Sequence, residues 1–145
     1  MAFSSIALLT NEAKRRIAEM WMTGKSYQVK YFALSSGGHE ETDPMVAKAI
    51  DPSATIMPGD PPIFGPEPID EIRLVSDYCP VFVCRTQPGE VVGYVSSVAL
   101  FAEIVYSPDP ADPELGTTFL FAVHNRSALI LTSIDSTEFE LNVFM

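Results

Sequence analysis

The chain has 145 residues, 47% of them hydrophobic and 19% charged, and a formal net charge of -10. A chain of this length buries roughly two-thirds of its unfolded surface in one core, so a single domain spanning 1–145 is expected. The acidic balance argues against an electrostatic grip on phosphates, which needs clustered Lys and Arg, and neither nucleic acid nor an anionic membrane is an expected partner.

The opening MAFSSIALLT has no basic leader region and its apolar run breaks early. A signal peptide is therefore not expected, and the chain is expected to be made and folded in a cytoplasm. Thr10 suits a helix N-cap, with Glu12 placed where the helix dipole favours an anion. Ala13, Ile17, Met20 and Trp21 follow at helical spacing, and Gly24 can take the left-handed conformation that ends a helix. The spacing predicts a helix over 11–23 with Trp21 as its anchor. Lys14 and Arg15 fall on the outward face, and the run Lys14-Arg15-Arg16 reads as solvated charge.

From 26 to 34 the period changes to two, which predicts a strand that Ser35-Ser36-Gly37-Gly38 stops. Residues 43–68 then carry seven prolines, each fixing φ and removing a backbone donor. A short helical turn over 45–50 is the one regular element expected there, with Asp43 as its cap and Pro44 at its first position. The segment is too apolar for a free linker. Ile56, Met57, Ile63 and Phe64 are the candidate protein-interface residues, because the segment must lie either along its own sheet or along another protein's surface.

The remainder, 69–145, reads as a β-rich core. Strands are expected over 69–75, 81–85, 91–106, 117–124, 128–134 and 137–144, separated by proline- and glycine-containing turns. In the long central run Tyr94, Val98, Leu100, Ile104 and Tyr106 are expected on one face. Ser107 to Pro113 forms a rigid acidic loop. In the last strand Phe139, Leu141 and Val143 point inward and Glu138, Glu140 and Asn142 outward, leaving one sheet face wet. The fold class expected from these elements is α+β: an N-terminal helix packed on a mainly antiparallel sheet or small sandwich, with a Pro-rich extended insertion.

Motifs for chemistry are sparse. Cys79 and Cys84 flank PVFV and read as small buried hydrophobes rather than a redox or metal pair. His39 and His124 stand apart, and the acidic groups around Asp43 and Asp112 lack the glycine-containing loop of a helix-loop-helix calcium site. No G-x-S-x-G elbow or phosphate-binding glycine loop occurs. No catalytic, cofactor or metal residue is expected.

Three segments together resemble a known family. LLTNEAKRRIAEMWMTGKSYQVKYFALSSGG is similar to the start of phage tail-collar fibre and related baseplate domains, in which a Leu-Thr helix start leads into a strand ending at a glycine turn. VGYVSSVALFAEIVY is similar to that family's central strand region, and GTTFLFAVHNRSA to its late strand with a Phe-Ala pair, here Phe121-Ala122. Two departures stand out: fibre proteins continue into a long shaft where this sequence stops after its last strand, so a shaft-bearing receptor-binding fibre is not expected, and the turn Ser35-Ser36-Gly37-Gly38-His39 holds less glycine and acid than the family's. The resemblance implies a structural virion protein of the tail baseplate or fibre attachment. Its partners would be other tail, baseplate and fibre subunits, and it would be a homo-oligomer of cyclic symmetry. The alternative from another class is a small ligand-binding or enzymatic domain with a pocket between helix and sheet.

Overall fold

The computed structural model describes residues 2–76 and 79–144. Nine strands and one helix follow in chain order: β1 (Ala2–Ile6), β2 (Leu8–Leu9), α1 (Asn11–Thr23), β3 (Ser26–Ser35), β4 (Phe64–Pro68), β5 (Glu71–Ser76), β6 (Cys79–Thr86), β7 (Gly93–Tyr106), β8 (Thr118–Leu131) and β9 (Thr137–Asn142). They form a four-stranded sheet in the order β1-β9-β6-β5 and a five-stranded sheet in the order β2-β8-β7-β3-β4. All neighbours pair antiparallel except β1 with β9.

This corrects the expected α+β class. The fold is all-β: strands hold about half the chain, whereas α1 has 13 residues and fully buries only Ala13. The error has a local cause. No strand is expected over Ala2–Ile6 or Leu8–Leu9, yet they add a strand to each sheet, and the helix is a short crossover between β2 and β3. Its caps are as expected. The Thr10 hydroxyl accepts from the Ala13 amide at 3.1 Å, and Gly24 closes the helix at φ 73°. Trp21, however, is 91% exposed and is not the helix's anchor to the core; Ala13 and Ile17 make that contact.

The principal core lies between the sheets. Phe82, Cys84, Phe139 and Leu141 face inward from the four-stranded sheet, against Phe32, Leu34, Val98, Leu100, Ile104 and Phe121 of the other. Full burial of each such side chain contributes about 1.5–3 kcal/mol. Register shifts between Val29 and Tyr31 of β3, between Val95 and Ser97 of β7, and between Ile104 and Tyr106 at the end of β7 interrupt the alternation. Tyr94 and Tyr106, expected on one face with Val98, Leu100 and Ile104, lie beyond the second and third of these shifts and stand half in water while the other three are buried. The stretches expected as separate strands over 117–124 and 128–134 are one continuous strand, β8.

A second, smaller core sits on the outer face of the five-stranded sheet. Met57, 2% exposed, packs there against Ala33, Ala99, Leu120 and Val123. The Pro-rich stretch is thus a strap across its own sheet, and no helical turn forms over 45–50. Its backbone is fastened along its length: Lys48 N–H donates to Gly38 C=O at 2.8 Å, Ala128 to Pro44 at 2.7 Å, Asn11 to Pro52 at 2.7 Å, and Ile63 to Leu34 at 2.9 Å. The Ser35 hydroxyl donates to the Pro58 carbonyl.

Candidate protein-contact surface

Ile56, Met57, Ile63 and Phe64 do not share one face. Met57 is inside the second core. Phe64, half-buried at the start of β4, sets its ring 5.9 Å from that of Phe32. Ile56 and Ile63 remain 63% and 45% exposed, as the segment alternates between holding itself down and leaving side chains in water.

The strap and its surroundings shape two depressions that share Ile50 in their linings. One, of about 450 Å³, runs beneath the strap and is lined by Lys48, Ile50, Asp51, Ile56, Met57 and Asn125 among others. The second, of about 250 Å³, lies where the chain crosses between sheets and is lined by Ile6, Leu8, Lys14, Ile50, Pro52 and Phe144, with Ala7 and Leu9 as its floor. Ile50 is a wall of both.

The crossover explains the apolar rim of the second groove. β1 ends at Ile6 in one sheet and β2 begins at Leu8 in the other, with Ala7 buried between them and its N–H held by Asn142 C=O at 3.0 Å. Strand alternation then sends Ile6 and Leu8 away from the core. Ile6, Leu8 and Phe144 are 54%, 53% and 60% exposed around one depression. His124 fixes the corner, its Nδ1 hydrogen-bonded at 3.1 Å to the Ile6 carbonyl, and burial holds its pKa below the usual histidine value. An apolar centre edged by Lys14, Lys48 and Asp51 has the anatomy of a protein-contact patch.

These residues were missed in the sequence because Ile6-Ala7-Leu8 was read only as a broken apolar run. Its out-in-out alternation across Ala7 was the available signal.

The glycine pair after β3 also gains a physical role. A Cβ on Gly38 would lie 2.0 Å from the Ser96 carbonyl oxygen, and one on Gly37 would lie 2.2 Å from the Gly59 nitrogen. The pair lets the strap's entry pass against β7 and its own far limb. There the Ser96 hydroxyl accepts from Gly38 N–H at 2.9 Å and meets His39 Nδ1 at 2.7 Å. Ser96 is fully buried and both its contacts are to the strap, so this Ser–His pair acts as a clasp.

Several other charged groups form ion pairs. Arg15 bonds to Glu12 and Glu19, and Arg16 joins Glu12 to Glu114. Lys25 holds Asp112 at 2.7 Å, which with the Glu114 amide and Ser107 hydroxyl lowers the Asp112 pKa to about 2. Cys79 and Cys84 are free and buried, and burial pushes the Cys84 thiol far above its usual value. Among the described residues no group of three or more His, Cys, Asp or Glu is placed to hold a metal ion, and no helix is long and apolar enough to cross a membrane.

A separate apolar pocket of about 230 Å³ lies between α1 and the sheets, lined by Ile17, Met20, Tyr27, Val29, Phe82, Ala102 and Phe121. No family model, curated protein or solved structure matches the chain.

Proposed function

We propose that this chain is a structural subunit of a tailed-bacteriophage tail, acting in the baseplate or at a fibre attachment point through protein–protein contacts. The observation that carries the reading is the apolar groove at the sheet crossover. Three large side chains, Ile6, Leu8 and Phe144, stand more than half exposed around one depression. Exposed apolar surface gathered in a groove and rimmed by charge marks a surface that another protein covers. The resemblance noted in the sequence supports the tail context. Its three segments form α1, β3, β7 and β8, and these three strands are neighbours in one sheet.

The subunit's partners are then other tail, baseplate or fibre proteins, and it is present in several copies. Quantitative mass spectrometry of purified phage particles tests this. The reading expects the chain in fixed ratio to known tail proteins; its absence from intact particles that come from cells expressing it overturns the reading.

A second reading, a small-ligand-binding domain, is favoured by one observation. The Tyr27 hydroxyl is buried with no hydrogen-bond partner among the described residues, and Tyr27 lines the apolar pocket between helix and sheets. A small apolar molecule carrying one acceptor oxygen would satisfy it. Thermal-shift titration with short-chain aliphatic and aromatic ketones tests this; saturable stabilisation lost in Tyr27→Phe supports it, and no shift rejects it.

A further inference from the structure

The edges of the two sheets are guarded unequally. β4 carries Pro66 and Pro68, β2 has only two residues, and β1 places serines at Ser4 and Ser5. β5, the remaining edge, presents Ile72, Leu74 and Val75 at 52%, 71% and 71% exposure. Its only charges are Glu71 and Arg73. Unguarded apolar edges of this kind are templates for strand pairing.

The direction of the free backbone groups follows from the ladder. Val143 N–H donates to the Pro80 carbonyl. Alternate residues of an antiparallel strand direct their backbone groups to opposite neighbours, so Pro80 and Phe82 bond toward β9, and Val81 and Val83 toward β5. Val81 and Val83 stand opposite Arg73 and Glu71. Ile72 and Leu74 therefore turn their N–H and C=O groups outward, where among the described residues no strand pairs with them.

We propose that two copies of the chain pair antiparallel along β5, joining their four-stranded sheets into one continuous sheet with the two-fold axis at Ile72. Charge favours a second copy and this register over one centred on Arg73: Glu71 and Arg73, 2.8 Å apart within each copy, would join the partner's pair in one network. With the axis at Ile72, Glu71 of each copy lies directly opposite the partner's Arg73, on both sides of the axis. Moving the axis to Arg73 would set Arg73 against the partner's Arg73, a like-charge pair that opposes the contact. The outward backbone groups of Ile72 then form the central hydrogen-bonded pair. This contact is independent of the tail reading, since it needs only the free chain.

Sedimentation velocity across a wide concentration range, combined with engineered cysteines, tests the proposal. The isolated chain is expected to dimerise reversibly. Ile72→Cys should cross-link under mild oxidation, because the Cα separation of such a pair, about 5.5 Å, lies within the range a disulfide spans. Arg73→Cys should cross-link far less. Ile72→Pro, which blocks the edge without touching a bond to β6, should be monomeric with an unchanged circular dichroism spectrum; Arg73→Glu, which sets acid against the partner's Glu71 on both sides of the axis, is the substitute if that variant fails to fold. A wild-type chain monomeric throughout, a dimer that survives Arg73→Glu, or preferential cross-linking through Arg73→Cys overturns the proposal.

Discussion

Replacing Met57 with alanine separates a strap that is part of the fold from an arm that merely lies on it. Truncation removes the Cγ, Sδ and Cε atoms from a site 2% exposed against Ala33, Ala99, Leu120 and Val123. At about 0.8 kcal/mol per methylene-sized group the transfer loss is about 2.4 kcal/mol. The residual cavity adds to this, giving about 3 kcal/mol within the 2–5 kcal/mol observed for buried Met-to-Ala changes. That is a large share of the stability of an ordinary domain. Urea unfolding of Met57→Ala is expected to show this loss, and limited proteolysis should show faster cutting within 43–63. The neighbouring Ile56→Ala, at a position 63% exposed, should change stability by less than about 0.5 kcal/mol. Equal small effects at both positions, with unchanged cleavage, would refute the claim that Met57 pins the strap.

Other positions give sharp outcomes. Trp21→Ala should leave the unfolding free energy within about 0.5 kcal/mol, since Trp21 is 91% exposed; a loss of several kcal/mol would mean the helix packs differently. The Asp112 contact with Lys25 should contribute fully above the ordinary carboxyl value of 3.8 and fade as pH falls toward about 2, because the folded-state pKa is the lower one. The difference in unfolding midpoint between wild type and Asp112→Asn should therefore close on acidification over that interval; a difference independent of pH contradicts it. Gly38→Ala should destabilise by at least about 1–3 kcal/mol, as its Cβ would sit 2.0 Å from a backbone oxygen, and wild-type stability would show that the strap does not enter against β7.

Much of the architecture was legible where side-chain period and punctuation agree. The helix and both of its caps, the strand beginning at Ser26, the long strand ending at Tyr106, and the inward set Phe139, Leu141 and Val143 are all in place. Legibility failed where tertiary pairing overrides local pattern. Ala2–Ile6 has little strand character of its own and is held by its parallel pairing with β9. The bulges in β3 and β7 change which residues face inward without leaving a mark in composition. The four candidate interface residues illustrate the same limit. Apolarity showed that the strap must cover something, but only the placement of Met57 in the outer core shows that it covers its own sheet. The groove of Ile6, Leu8 and Phe144 joins residues from opposite ends of the chain, which no local pattern could connect.

The most direct test of the account is carbene footprinting with mass spectrometry of Ile6, Leu8 and Phe144, comparing the purified chain with the same chain in intact particles. The exposed Ile134, at 83%, serves as a reference outside the groove. The account predicts strong labelling of the three groove residues in the free chain and their protection in the particle, with Ile134 less affected. Equal labelling of the groove in both states would contradict its role as the surface through which the subunit meets its neighbour.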